Sequence, residues 1–322
     1  MADRPRRRRL RRTLLAALVT FAVAVPVSGA ARPAAVPAPA PTVSAPLRDL
    51  SAAALEERYA VSRRDIRAAE RAADGHGDLK RAASLREMAA PGRQFLSFDG
   101  RDGGRSVEVV GELSSARRVA VLVPGAGVGL DAYGRLRRGA VALQRELGEA
   151  GAVVAWLGYR SPATVSPASV TEARAAEAAP GLRALVGRLG AALPGARITL
   201  LCHSYGSVIC ARAASGTAAD AIVLYGSPGT GARDVASLRT GARVWAGRGG
   251  DDWIARVPHA RVRVPFVATV GFGTDPVTEE FGAEVFDAGG GGHSDYLLSG
   301  SRSLTNLARI ASGRAPLEAS RA

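Results

Sequence analysis

From Gln94 onward the chain is a succession of short apolar runs: "QFLSF", "SVEVVGEL", "VAVLVPG", "AVVAWLGY", "ITLLC", "AIVLYGS", "RVWAG", "FVATVGF" and "AEVFDAG". Runs of about four to six apolar residues that stop at Gly, Pro or Asp are too short for helices, and they lack the alternation of a strand with one wet face. In the middle of the series they alternate with helix-like stretches such as residues 133–150 and 181–193. Strands that follow one another in parallel need such crossovers. The pattern therefore predicts an α/β fold, a mostly parallel central sheet with helices on both faces. Reactive groups in such sheets collect at the carboxyl ends of the strands.

Ahead of the sheet the composition changes three times. Residues 1–30 begin with seven arginines and one acid, continue with the apolar run "LLAALVTFAVAV" (residues 14–25), and end on small residues. This is the layout of a secretory signal cleaved near Ala31 or Arg32, with an N-terminal membrane anchor as the alternative reading. Arg11 and Arg12 do not fix the export route. Residues 31–46 are rich in Pro and Ala and read as an extended tether. Residues 47–90 have helical spacing broken at "DGHGD" and are expected to form two helices, and residues 91–322 hold the sheet domain.

The formal charge of +14 is concentrated at the start, and without residues 1–30 it is +8. The remaining arginines are scattered among acids with no interleaved aromatics, which argues against a nucleic-acid site and leaves a loose attraction to an anionic cell-envelope surface. Cys202 and Cys210 make no disulfide framework, and the spacing reads as two buried free thiols. Neither pairs with a histidine at metal-ligand spacing, so no metal site is expected.

One strand end carries a nucleophile pattern. In "LCHSYGS" (residues 201–207) Ser204 follows the run "ITLLC" and precedes helix-like "YGSVICARAAS". A serine at the tip of a strand–turn–helix is forced into strained angles and needs small neighbours, which Cys202, Gly206 and Ser207 supply. A serine hydroxyl also needs a base. Of the four histidines, His203 adjoins the serine and points away from it, while His76 and His259 read as surface residues. His293 follows the last apolar run and a glycine-rich loop, which suits a side chain that must reach across to Ser204.

"CHSYGS" after a strand, with "VPGAG", "WLGY", "GSPG" and "GGHSDY", resembles the α/β-hydrolase fold, and more narrowly a family of uncharacterised exported α/β hydrolases from high-GC bacteria. The resemblance covers about residues 47–312. It implies a Ser-acid-His order, with Asp252 favoured as the acid at the family's "DWI" position and Asp251 and Asp275 as alternatives. It also implies an oxyanion hole from the backbone N–H groups of Tyr205 and Ala126. Trp156, Gly158 and Tyr159 could line an acyl pocket, and Trp156 could equally pack the core. Gly125, Gly127 and Gly129 follow a strand, but the spacing is not that of a dinucleotide loop, and no cofactor is expected. The expectation is an exported serine hydrolase of a small-molecule or lipid ester, or in second place an amide. An acyltransferase with the same triad and a catalytically silent binding module are the competing readings.

Overall fold

The computed structural model describes residues 36–43, 49–164, 166–264 and 268–318; the expected signal, residues 1–30, lies outside them. Two helices come first, α1 (Ala52–Gly75) and α2 (Leu79–Met88), started by Ser51 and Asp78, whose side chains accept the N–H groups of Ala54 and Arg81. Then follow β1 (Gln94–Asp99), β2 (Arg105–Val110), β3 (Arg118–Val123), α3 (Tyr133–Leu147), β4 (Gly151–Leu157) and α4 (Ala173–Ala192). The remainder is β5 (Arg197–His203), α5 (Gly206–Ala214), β6 (Ala221–Tyr225), β7 (Arg243–Gly247), β8 (Val262–Val264), β9 (Ala268–Val270), β10 (Glu284–Val285) and α6 (Arg302–Ala311). Among the described residues no helix is long and apolar enough to cross a membrane.

Eight strands form one sheet in the order β1-β2-β4-β3-β5-β6-β7-β10; β2 is antiparallel to both β1 and β4, and every other adjacent pair is parallel. This is the mostly parallel sheet that the apolar runs predict. Its two faces are read directly from the period of two along each strand. Val119, Val121 and Val123 of β3 pack with α4 and α5, whereas Ala120 and Leu122 pack with α2, α3 and α6. All seven residues of β4 are buried, as befits a strand covered on both faces. In the β5–β6–β7 register Cys202 faces Leu224, and Tyr225 faces both His203 and Gly247, so these strands end side by side.

Four expectations need correction or extension. The run "FVATVGF" is no strand of the main sheet: part of it forms β9, which pairs with β8 as a separate antiparallel pair. The last run shrinks to the two-residue edge strand β10. Residues 36–43 form no regular element but are not a free tether, because the backbone N–H and hydroxyl of Thr42 both bond to Asp65 of α1 (3.0 and 2.7 Å), and Val36 and Ala38 pack on the core. Helix α6 was absent from the sequence reading; it buries Leu304, Leu307, Ala308 and Ile310 against the sheet.

The cysteines are also not free. Cys202 at the end of β5 and Cys210 in the second turn of α5 form a disulfide. The turn at Ser204 folds the helix back over its own strand, and this brings the two Cα atoms to 6.4 Å, within bridging range. Thiol titration of the denatured, unreduced protein should find no free thiol, and two would contradict the bridge. Replacing both cysteines with Ala should lower unfolding stability by about 2–3 kcal/mol, the chain-entropy value for a loop of this length, read from the denaturant midpoint.

Candidate active site

The site stands where β3, β5, β6 and β7 end. Ser204 follows the last residue of β5 and has φ +52°, a left-handed angle that a residue with a Cβ seldom adopts. Several contacts fix it there. The Ser204 N–H donates to Tyr225 O at the end of β6 (3.0 Å), Ser207 N–H donates to Ser204 O (2.9 Å), and the Ser207 hydroxyl donates to Cys202 O (3.1 Å). Gly206 lies so near β3 that a Cβ there would come within 2.4 Å of Val123 O. A Cβ on Gly125 would lie 2.7 Å from Ser204 Cβ, so the loop after β3 closes directly on the serine.

That loop is held from beneath by Tyr159, whose hydroxyl reaches the carbonyls of Pro124 (2.8 Å) and Gly125 (3.1 Å). Trp156, Tyr159 and Tyr205 form a row of stacked rings, with Phe272 edge-on to Tyr205. Trp156 is buried in this row as core. Tyr205 in turn bonds through its hydroxyl to Thr171 O (2.8 Å) and accepts Ala175 N–H (3.1 Å). The two N–H groups expected to form an oxyanion hole, those of Ala126 and Tyr205, therefore sit on backbone anchored from both sides of Ser204. Among the described residues neither donates to an acceptor of the chain.

His293 reaches Ser204 as expected, with Nε2 3.0 Å from Oγ, while Nδ1 lies 2.9 and 3.0 Å from the two oxygens of Asp252. Asp252 is buried, and Tyr296 O–H donates to its Oδ2 at 2.5 Å and Ile254 N–H to its Oδ1 at 2.8 Å. Burial alone would raise the carboxyl pKa, but the bonds from His293, Tyr296 and Ile254 outweigh it and hold it below the ordinary value. Gly226, at φ +56°, leaves room for this pair: a Cβ would come within 3.0 Å of both the carboxylate and the Tyr296 ring. The glycine loop before His293 docks on the Asp252 loop, with Gly250 N–H donating to Gly289 O (2.9 Å) and Gly249 pressed against Gly291 O.

The other candidates lie elsewhere. Asp251 is exposed, and Asp275 accepts Val277 N–H in its own turn and pairs with Arg248. His259 is not a surface residue: it is mostly buried and lies 3.7 Å from Asp275. His76 is exposed at the end of α1.

Two contributors were missed from the sequence. His203 does face away from Ser204, yet its Nε2–H donates to the backbone O of His293 (2.8 Å) and its ring lies 4.7 Å from that of His293. Burial, with His293 beside it, drives its pKa down to about 3, so the ring is neutral and its Nε2 carries the proton given to this carbonyl. Tyr296 holds Asp252 and accepts Gly249 N–H (3.0 Å). Its position three residues after His293 in a glycine-rich turn was the only available signal. Among the described residues no group of three His, Cys, Asp or Glu is placed to hold a metal ion.

Comparison with known families matches residues 99–262, about half of the chain, to a model described as alpha/beta hydrolase; the match includes Ser204 and Asp252 and stops before His293. Among solved structures the chain is similar to a serine hydrolase without a lid from Xanthomonas campestris, at 19% identity over 70% of this chain and 94% of that one, TM-score 0.43. It is similar also to esterase LipW from Mycobacterium marinum, at 15% identity over 83% and 91%, TM-score 0.46. Esterase PE8 aligns at 17% identity over 65% and 98%, TM-score 0.45. No curated protein matches the chain.

The close approach of Gly206 to Val123 O sets a prediction. Gly206→Ala cannot be accommodated without moving α5 or β3, and overpacking of this kind costs about 1–3 kcal/mol. Gly129→Ala, where a Cβ meets nothing within 4 Å, should leave the melting temperature near wild type.

Proposed function

Because the chain belongs to the α/β-hydrolase family, we propose that it is a serine hydrolase that cleaves an ester through an acyl-enzyme on Ser204. The observation that carries this reading is the unbroken chain of bonds from Ser204 Oγ through both ring nitrogens of His293 to Asp252. With Nδ1–H directed at the carboxylate, Nε2 is the acceptor and takes the serine proton as Oγ attacks the substrate carbonyl. Asp252, kept ionised by its three donors, stabilises the imidazolium. The oxygen of the tetrahedral intermediate takes the free N–H groups of Ala126 and Tyr205, whose rigid backbone needs no reorganisation when charge develops. His293 then passes the proton to the departing alcohol, and water repeats the cycle to release the acid.

The same reading places the protein outside the cytoplasmic membrane. The basic, apolar and small-residue succession at the N-terminus supports export, and a disulfide under the nucleophile suits an oxidising compartment.

A fluorophosphonate probe should label the wild type and leave folded Ser204→Ala unlabelled and inactive on p-nitrophenyl esters; labelling that persists in the variant would move the nucleophile elsewhere. Asp252→Asn keeps the shape and favours the wrong tautomer of His293, so kcat should fall on the order of 10⁴-fold, the loss the same change causes in serine-protease triads. Asp275→Asn should keep a rate near wild type. A collapse in Asp275→Asn with Asp252→Asn active would place the acid on the other loop.

A further inference from the structure

Resting on the reading of Ser204 and His293 as nucleophile and base, we infer that the leaving-group side of the site binds an anionic group, a carboxylate or phosphate carried by the alcohol part of the ester, and that Arg135 holds it. Arg135 lies in the first turn of α3, directly after the loop that closes on Ser204, and its side chain is exposed. Its Nη1 donates to the hydroxyl of Ser294, the residue next to His293, at 3.4 Å. This long bond to a neutral, exposed hydroxyl leaves most of the guanidinium donors unused.

Apart from Arg138, exposed on the same helix, the charges nearby in the chain are engaged elsewhere. On the same helix Arg137 lies 3.4 Å from the buried Glu108, which is also bonded to Arg93. Asp131, just before α3, is paired with Arg81. Asp252 is bonded to His293 and Tyr296, and Asp295 accepts the Gly292 N–H at 2.9 Å. Among the described residues no carboxylate pairs with Arg135. Its charge is felt within the site as well, since it disfavours protonation of His203 beneath His293.

The side of the substrate follows from the chemistry. His293 must hand its proton to the departing alcohol, so that part of the ester lies against the His293 loop, on which Ser294 sits. Beside the imidazole stands Trp253, 45% exposed, with its ring 4.7 Å from that of His293. A guanidinium offers paired donors in a plane that fits a carboxylate or phosphate. A neutral alcohol part would leave these donors to water.

The test compares 3-acetoxybenzoate with neutral 3-acetoxybenzamide, which share an acyl group and a leaving-group skeleton. In the wild type kcat/KM should favour the carboxylate, chiefly through KM, and raised salt should narrow the difference. Arg135→Gln, with an unchanged melting temperature, should reduce the ratio about tenfold, as expected for a partly exposed charge-assisted contact; Arg135→Lys should keep part of it. Each protein is also reacted with the fluorophosphonate probe. Labelling together with equal turnover of the two esters, with turnover of neither, or with a ratio that survives Arg135→Gln overturns the anionic site and leaves the hydrolase reading standing. Absence of labelling as well as turnover removes both.

Discussion

The left-handed backbone of Ser204 is the constraint on which the other parts of the site depend. A residue with a Cβ held at φ +52° gives up about 1–2 kcal/mol relative to ordinary helical angles. The turn persists because its surroundings over-determine it. β6 accepts its N–H, the first turn of α5 closes on its carbonyl, Gly206 allows α5 to approach β3, and the disulfide ties β5 to the second turn of the helix. Relaxing Ser204 to a common angle would turn its hydroxyl away from His293 and pull α5 off the strand. The fold thus holds a strained residue with contacts that are individually ordinary.

The electrostatics are built outward from the same point. His293 hangs on a glycine loop, so its position is imposed by partners and not by a regular element. Asp252 fixes one ring nitrogen, and His203 fixes the backbone carbonyl from below. Burial disfavours the charged form of both supports, with opposite outcomes: Asp252 remains charged because three donors outweigh its desolvation, and His203 remains neutral because its bond to the His293 carbonyl and the nearby Asp252 do not offset its own. Tyr296 links the two loops, donating to Asp252 while accepting from Gly249. A carboxylate without that hydroxyl would keep the His293 bond but lose a donor that helps keep it ionised.

How much of this the sequence could disclose depends on the range of the interaction. The parallel sheet was legible because burial on both faces writes itself as continuous apolar runs, and Ser204 because a strand–turn–helix leaves a local pattern of small residues. His293 was reachable by elimination among four histidines. Asp252 and Asp275 were harder to separate, since each follows an apolar run and opens a turn; what distinguishes them is His293 and Tyr296, which reach Asp252 from 41 and 44 residues further along the chain. The bridge between Cys202 and Cys210 was misread because eight residues of separation say nothing of distance until the turn folds α5 over β5. The β8–β9 pair was misread for a related reason: "FVATVGF" has the composition of a buried strand, and only its partner decides where it pairs. His203 was discounted for facing away from the serine, the orientation that lets it hold His293.

In the proposed reaction Ser204 Oγ is the atom that carries the acyl group. The most direct measurement is peptide mass mapping after rapid acid quench of the protein mixed with a slowly deacylating p-nitrophenyl ester. The expected result is a burst of p-nitrophenol matched by one acyl group on the peptide containing Ser204. An acyl group mapped to any other residue, or turnover without a burst or adduct under conditions where deacylation is slow, would contradict it.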